Sequence, residues 1–263
     1  MSIDVPELAG LEQVRGRWRT AVAGVLSKST RKDPGQLGDE PERLLETPTY
    51  DGIAIRALYT ALDELPEPPL PGEWPYVRGG DALRDVNAGW KVAEAFPVPG
   101  AADNAAVLAA LADGVSALRI RVGESGVAPG ELTQLLSGVY LDLVPVILDA
   151  GADYPEACDA LLALVDPLGP EQRKALSVDL GADPLTATLS GRASASTEQV
   201  VAVARRVAGS RGVRAITVDG PAFHNLGANA TWELAGGVAA AVAYLRLLTD
   251  AGMPVAQALR QIS

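Results

Sequence analysis

Residues 117–148 read ALRIRVGESGVAPGELTQLLSGVYLDLVPVIL, and this stretch decides the fold class. It begins with an apolar run at Ala117–Val122, continues with a helical pattern at Pro129–Ser137 and ends with a second apolar run at Val144–Leu148. Short apolar runs that alternate with helical patterns are typical of βα units, in which a helix carries the chain back to the start of the next parallel strand. The stretch therefore predicts a parallel sheet with helices packed on it.

The same alternation extends along the chain in both directions. It predicts further strands at Lys91–Phe96, Leu176–Leu180 and Ala215–Val218, and further helices at Asn104–Ala112, Pro155–Val165, Thr197–Ala208 and Ala230–Ala251. The nearly uniform length of the units favours a (β/α)8 TIM-type barrel. A dinucleotide-binding sheet would require a G-x-G-x-x-G motif after the first strand, and this motif is absent. Because five βα units do not close such a barrel, we expect an incomplete barrel in a natural or proteolysed fragment. Gln261–Ser263 resembles the approach to a further strand.

The N-terminal region has a different pattern. From Leu11 to Leu26, apolar residues recur at spacings of three and four, which predicts an amphipathic helix. Ser27–Pro48 is polar without a period, so it is either a mobile linker or a segment laid over a surface. The proline-rich residues 65–75 are expected to be extended. We therefore predict an N-terminal helical arm and linker over residues 1–48 and a partial barrel domain over residues 49–263.

Composition excludes several classes of function. The chain has 22 Lys and Arg against 33 Asp and Glu, and a net charge of -11 argues against nucleic acid or an anionic membrane surface as the partner. Its apolar stretches are shorter than the roughly 18 residues that a membrane-spanning helix requires. One cysteine and one histidine exclude a structural zinc site and an internal disulfide, and no signal peptide is recognisable. These features predict a cytoplasmic protein.

Acidic side chains follow the predicted strands, at the end where barrel active sites lie. They are Glu124, Asp149, Asp179, Asp183 and Asp219. Oxygen ligands of this kind, with the imidazole of His224, suit magnesium or manganese, so one hypothesis is a free-standing barrel enzyme that binds a divalent metal at this rim. The alternative is that these aspartates make turns or cap helices, as the sequences Asp149-Ala150-Gly151 and Asp219-Gly220 suggest. His224 is either a general acid or a buried, hydrogen-bonded structural histidine.

Basic and aromatic residues are interleaved before and at the first predicted strand, where Trp74, Tyr76, Trp90 and Phe96 flank Arg78, Arg84 and Lys91. Such side chains stack on and neutralise nucleotide-like ligands, so a CoA-binding module without chemistry is a further hypothesis. The alternative is a packed segment that closes one end of the barrel. Arg119 and Arg121 share one face of a predicted strand. If that face is the barrel lumen, they need carboxylate partners and block the axis.

Four separated segments together resemble the adenosylcobalamin-dependent methylmalonyl-CoA mutases, and in particular their small (beta) subunit from actinobacteria. They are DGIAIRALYT at 51–60, LPGEWPYVRG at 70–79 with Trp90 beyond it, FHNLGA at 223–228, and ELA at 233–235 with YLR at 244–246. Their order matches the family over most of the chain. The resemblance implies an acyl-CoA mutase barrel and an isomerase complex.

Departures from the family pattern imply which subunit this is. In catalytic subunits, tyrosine, threonine and arginine that touch the substrate follow the Arg-Gly pair, whereas here Asp85 takes the place of a tyrosine and Phe223 replaces another. A carboxylate at that place repels an acyl-CoA substrate. The cobalamin-ligating D-x-H-x-x-G motif is absent, since Ala222 stands two residues before His224. The resemblance therefore implies a non-catalytic chain that binds no cofactor and has no expected catalytic or substrate-binding residues. The weak candidates are Tyr76, Arg78, Phe223 and a vestigial His224.

The resemblance also implies a partner. A large (alpha) subunit would form a heterodimer with this chain, hold adenosylcobalamin and interconvert (R)-methylmalonyl-CoA and succinyl-CoA. We expect the helix at Leu11–Leu26 to contact that partner, because an isolated helix of this length is marginal in water.

Overall fold

The computed structural model describes residues 8–80, 82, 89–97, 103–124 and 126–263. The chain forms two compact units, Met1–Asn87 and Ala88–Ser263. They divide after Asn87, whereas the sequence analysis ends the arm and linker at residue 48; the difference arises because residues 61–63 also contact the N-terminal helix. In the described part of the chain, no helix combines the length and the apolar content needed to cross a bilayer.

The N-terminal unit is built on one long helix, α1 (Leu8–Thr30), which confirms the helix predicted at Leu11–Leu26 and extends it at both ends. Two 3-10 turns follow, at Pro34–Leu37 and Pro41–Leu45. They fold back along α1, where Nη2 of Arg19 lies 2.5 Å from Oε1 of Glu42. The polar stretch after the helix is therefore a segment laid over a surface, and that surface is α1.

The remainder of this unit has little regular structure. Strands β1 (Thr47–Pro48) and β2 (Ala54–Ile55) pair antiparallel, and a 3-10 turn follows at Ala61–Asp63. The proline-rich residues 65–75 form neither helix nor strand, but the predicted extended conformation does not continue throughout, because residues 71–75 form turns and a bend and Gly72 has a φ of 85°.

Burial in this unit is slight. Among the side chains described within residues 10–80 and 82, only Leu26 and Pro41 are buried. In contrast, Tyr50 is 99% exposed and Ile53 is 64% exposed, although both are large and apolar. The unit therefore has almost no hydrophobic core of its own.

The C-terminal unit contains a five-stranded parallel sheet. Its strands are β3 (Ala93–Phe96), β4 (Ala117–Arg121), β5 (Val146–Asp149), β6 (Val178–Ala182) and β7 (Val213–Ile216), and they are hydrogen-bonded in that order. All five predicted strands are confirmed. The strand predicted at Leu176–Leu180 continues to Ala182 through an irregularity in the register between Asp179 and Ala182, where Gly181 has a φ of 80° and passes close to the carbonyl of Leu148.

Helices connect the strands. They are α2 (Asn104–Ala112), α3 (Leu132–Leu135), α4 (Tyr154–Val165), α5 (Pro170–Ala175), α6 (Pro184–Ala187), α7 (Thr197–Val207), α8 (Gly220–Asn225), α9 (Ala230–Asp250) and α10 (Val255–Ala258). The predicted long helices are confirmed, except that the pattern at Pro129–Ser137 forms a 3-10 turn followed by the short α3. Four short helices, α5, α6, α8 and α10, are not among the predictions.

The two faces of the sheet differ in chemistry. The order of the strands in the sheet is the same as their order in the chain. Right-handed crossover connections between such strands place all of the connecting helices on the same side of the sheet. On that side, residues such as Leu118, Leu148 and Leu180 are fully buried in one core with the helices. The opposite face carries Arg119, paired in register with Ile147. The unit is therefore an α/β fold with a one-sided helical layer, which is consistent with an incomplete TIM-type fold.

At the edge of the sheet, the last residues lie beside β7. Ile262 forms a parallel bridge with Ile216, and the amide of Ser263 donates to the carbonyl of Ile216 at 3.0 Å. The amide of Val218 in turn donates to the carbonyl of Ser263 at 2.9 Å. Gln261–Ser263 thus lies where the sequence analysis expects the approach to a further strand.

Cys158 offers a test of the packing of α4. Its side chain is completely buried, and this burial raises the pKa of the thiol to about 12. Because the thiolate is the reactive form, we expect the native protein at pH 8 to react with a disulfide reagent at least about a hundredfold more slowly than the protein in urea. Stopped-flow absorbance measures both rates, and equal rates would contradict the burial of this residue.

Candidate functional site

A cleft of about 720 Å³ lies at the carboxyl ends of β4 to β7. Its walls come from the residues that follow each strand and from the segment Gly191–Ala195. The sequence analysis expects a site at this end of the sheet, and four of its acidic candidates line the cleft, namely Glu124, Asp149, Asp183 and Asp219.

Two arginines neutralise the carboxylates of this cleft. Nη2 of Arg119 lies 2.8 Å from Oδ2 of Asp149. Arg192 then bridges two strand ends: its Nη1 is 3.2 Å from Oδ1 of Asp149 and its Nη2 is 2.7 Å from Oδ2 of Asp219. Positive and negative side chains therefore alternate along the carboxyl-terminal end of the sheet, in the order Arg119, Asp149, Arg192 and Asp219. Together these four side chains form what we call the strand-end network.

Backbone hydrogen bonds fix the loop that presents Arg192. Its amide donates to the carbonyl of Ala187 at 3.0 Å, and the amide of Ala195 donates to the carbonyl of Gly151 at 3.1 Å. Gly191, with a φ of 65°, ends the preceding 3-10 turn and reverses the chain. The loop is thus anchored by its backbone, and the guanidinium of Arg192 lies between the ends of β5 and β7. Sequence reasoning missed Arg192, because nothing in a loop rich in small residues indicates which strand end it reaches.

Asp183 is a structural residue rather than a ligand. It is 7% exposed, and Oδ1 accepts hydrogen bonds from the hydroxyl of Tyr244 at 2.5 Å and from the amide of Thr186 at 3.2 Å. Oδ2 accepts from the amide of Asp219 at 2.7 Å and from the Thr186 hydroxyl. Burial, followed by the hydrogen bond to Asp183, raises the pKa of Tyr244, so the hydroxyl keeps its proton and donates it. For Asp183, the interpretation as a helix cap is confirmed.

Asp179 lies on the same face of the sheet, in a different row from Asp149. It forms a two-point ion pair with Arg214 of β7, with distances of 2.5 Å from Nε to Oδ1 and 3.0 Å from Nη2 to Oδ2. The hydrogen bonds to Asp179 raise the pKa of the Arg214 guanidinium. The open face of the sheet therefore carries paired charges, as the sequence analysis expects of Arg119 if that face is a barrel lumen.

The acidic residues considered as metal ligands do not form one ligand set. Within the described residues, no group of three or more His, Cys, Asp or Glu side chains is arranged to hold a metal ion. Asp149 and Asp219 are bound to Arg192, Asp179 is bound to Arg214, and Glu124 is exposed. Carboxylates that already have guanidinium partners do not offer the free oxygens that magnesium needs.

His224 lies away from this cleft, in the short helix α8. Its Nδ1 is 3.4 Å from Oε2 of Glu233 on α9, and its side chain is 69% exposed, so the prediction of a buried structural histidine is wrong. The neighbouring Phe223 packs its ring on Gly236, where an added Cβ would lie only 2.8 Å from the ring. Phe223 therefore closes the corner between α8 and α9, and neither residue lines the cleft.

The basic and aromatic candidates belong to different parts of the molecule. In the N-terminal unit, the rings of Trp74 and Tyr76 meet edge to face with centroids 5.8 Å apart, and Nη2 of Arg78 lies 3.0 Å from Oε1 of Glu67. Trp90 and Lys91 are exposed and belong to the C-terminal unit, whereas Phe96 is buried in the core of that unit and is not free to stack on a ligand. Arg84 and Asp85 lie outside the described residues. Tyr76 and Arg78 are therefore occupied with neighbours of their own unit.

Comparison with known proteins identifies the family. A family model described as methylmalonyl-CoA mutase matches residues 119–263, more than half of the chain. The chain belongs to the methylmalonyl-CoA mutase family. The region matched contains the whole strand-end network, together with Phe223 and His224. This finding confirms the resemblance that the sequence motifs indicate.

Curated mutase relatives carry the name of one subunit. A probable methylmalonyl-CoA mutase small subunit from Mycobacterium bovis is 75% identical over 265 residues, which cover 100% of this chain and 43% of the relative. Methylmalonyl-CoA mutase small subunits from Streptomyces virginiae and Propionibacterium freudenreichii are 38% and 29% identical over 94% of this chain. The chain spans less than half the length of these relatives.

The methylmalonyl-CoA mutase family implies adenosylcobalamin, and the described residues do not fit this group. The single imidazole of the chain has its Nδ1 turned to Glu233 at the α8–α9 corner, outside the cleft. Inside the cleft, Arg119 and Arg192 are paired with Asp149 and Asp219.

Proposed function

We propose that this chain is the N-terminal barrel part of a methylmalonyl-CoA mutase small subunit that supports a catalytic large subunit and carries no chemistry itself. The observation that carries the proposal is the strand-end network. In an enzyme barrel the loops after the strands leave space for substrate. Here Arg192 lies in the wall of that space and binds a carboxylate on each side.

Electrostatics support a cleft without substrate. An acyl-CoA brings phosphate charges, and the cleft meets them with the carboxylates of Glu124, Asp149, Asp153 and Asp219. Its two guanidinium groups are already paired, and breaking a partly buried ion pair leaves both charges poorly solvated. Binding of an anionic substrate at this place is therefore unfavourable on both counts.

The open face of the sheet supports the same proposal. Asp179 and Arg214 form a two-point ion pair there, and Arg119 lies in the same row of the register, on the other side of Ile147. If three more βα units close the sheet into a barrel, these side chains lie along its axis and fill it. A barrel closed in this way stabilises a subunit but admits no substrate along the axis.

The N-terminal unit supports the choice of a protein partner. Its exposed large apolar side chains include Tyr50 and Ile53, and it buries almost none of its own. Large contiguous patches of exposed apolar surface mark protein interaction sites. We propose that this unit contacts the mutase large subunit in a cytoplasmic heterodimer, in which the large subunit holds adenosylcobalamin and interconverts (R)-methylmalonyl-CoA and succinyl-CoA.

Assembly with a mutase large subunit tests this function. We expect size-exclusion chromatography with light scattering to give a one-to-one complex. The double variant Tyr50→Ser/Ile53→Ser removes exposed apolar area without touching a core, so its affinity for the large subunit is expected to fall at least about tenfold, since each 1.4 kcal/mol is a factor of ten.

A matched control separates the effect of Tyr50 and Ile53 from general effects of removing exposed apolar surface. Val255→Ser removes an exposed apolar side chain, 57% exposed, from the C-terminal unit and is expected to leave the affinity unchanged. Absence of any complex, or equal affinity for the chain and the double variant, would contradict the proposal. Mutase turnover by this chain alone would contradict its non-catalytic part.

A further inference from the structure

A second groove lies at the other end of the sheet. It has a volume of about 700 Å³ and is formed where α4 ends, α5 runs and β6 and β7 begin. Its apolar lining residues are Leu162, Val165, Leu168, Leu176 and Val213. Most of these side chains are buried members of the hydrophobic core, so the floor of the groove is part of a rigid structure. This volume lies within the range of small-molecule sites, about 300 to 1,000 Å³.

Positive charge surrounds this apolar floor. One wall carries Arg173 and Lys174 from α5, and the facing wall carries Ser210 and Arg211 from the turn before β7. Against these three cations, Asp166 is the one acidic side chain of the lining. In a chain with a net charge of -11, a rim with a cationic excess is a local reversal of the overall charge.

Arg173 is held in place by the backbone. Its Nε donates to the carbonyl of Leu168 at 2.9 Å, and its Nη2 donates to the carbonyl of Asp166. Two of the five N–H groups of the guanidinium are used in this way, which leaves others for a further acceptor. Lys174 pairs with Glu171 at 2.6 Å, but both side chains are more than 70% exposed, and such surface pairs are weak.

We propose that this groove binds an amphipathic carboxylate. The apolar chain of the ligand lies on the floor, which includes Leu168 and Leu176, and its carboxylate lies between Arg173 and Arg211. A planar guanidinium matches a carboxylate in geometry, and the rim neutralises its charge. The floor in turn removes the aliphatic chain from water, which favours binding by about 25 cal/mol per Å² buried. The site is separate from the strand-end cleft and independent of any mutase function, because it lies at the opposite ends of the strands.

Calorimetric titration with octanoate tests the proposal on the full chain. We expect saturable one-to-one binding of octanoate, and at least tenfold weaker binding of octanol, octylamine and acetate. Octanol lacks the charge, octylamine reverses it, and acetate lacks the chain. Equal affinity for octylamine or octanol would overturn the role of the rim, equal affinity for acetate would overturn the role of the floor, and no saturable binding of octanoate would overturn the site.

Charge variants locate the ligand. Arg211→Glu and Lys174→Glu both reverse a rim charge at an exposed position, and we expect each to weaken octanoate binding at least tenfold. Arg260→Glu makes the same charge change at an exposed arginine outside the groove and is expected to keep the wild-type affinity. Circular dichroism checks that each variant is folded. Equal loss in all three variants would show attraction by net charge alone and would overturn the assignment to this groove.

Discussion

Replacing Asp183 with alanine is expected to lower the free energy of unfolding by about 3 to 5 kcal/mol, because it removes one partner of a buried polar network. The carboxylate accepts hydrogen bonds from the Tyr244 hydroxyl, from the amides of Thr186 and Asp219, and from the Thr186 hydroxyl. Alanine leaves these donors without an acceptor in a place that water does not reach. Urea unfolding followed by circular dichroism measures the change.

A surface aspartate provides the matched control. Asp159 also pairs with a basic residue, Arg206, but its side chain is 70% exposed. Asp159→Ala is therefore expected to cost less than about 1 kcal/mol, the usual range for a surface ion pair. Equal costs for the two variants would show that Asp183 does not hold the loops after β6 and β7 together, and the strand-end network would then lack its support.

Gly181→Ala is expected to destabilise the C-terminal unit by about 3 kcal/mol or more, since it combines an unfavourable backbone conformation with a steric clash. Gly181 has a φ of 80°, and an added Cβ would lie 1.9 Å from the carbonyl oxygen of Leu148 in the adjacent strand. The substitution therefore requires β5 and β6 to separate at the point where both strands reach the cleft. Thermal unfolding monitored by calorimetry measures the loss.

Gly191 separates the two causes of this loss. Its φ of 65° is similarly positive, but no atom lies within 4 Å of the place that a Cβ would occupy. Gly191→Ala should therefore cost only the backbone term, about 1 to 2 kcal/mol. A loss at Gly181 no larger than that at Gly191 would mean that the close approach of β5 and β6 is not tight.

The sequence predicts the sheet well because alternation of apolar runs and helical patterns is a local signal. Strands such as β4 and helices such as α4 and α7 bury one face, so their apolar residues recur with the period of the element and can be recognised without neighbours. The short helices α5, α6, α8 and α10 have at most six residues and too little periodicity to be detected. Closure into a barrel stays a prediction.

The candidate site divides in the same way. Its place at the carboxyl ends of the strands follows from the fold class alone, and Asp149 and Asp219 are found there. Which cation neutralises them depends on a partner 43 residues away from Asp149 and 27 residues away from Asp219, and no local pattern encodes such a distance. His224 shows the opposite error, because a strand-to-helix position predicts a place at the cleft, whereas α8 turns the imidazole toward Glu233.

Arg192 has a further consequence for how substitutions in this cleft combine. Because one guanidinium serves both Asp149 and Asp219, loss of the arginine leaves two like charges facing each other, and loss of either aspartate leaves the cation half unpaired. Effects of substitutions at contacting positions are not additive. The cost of a substitution at one of these three positions is therefore expected to depend on which residues stand at the other two. This coupling is a form of epistasis within the cleft.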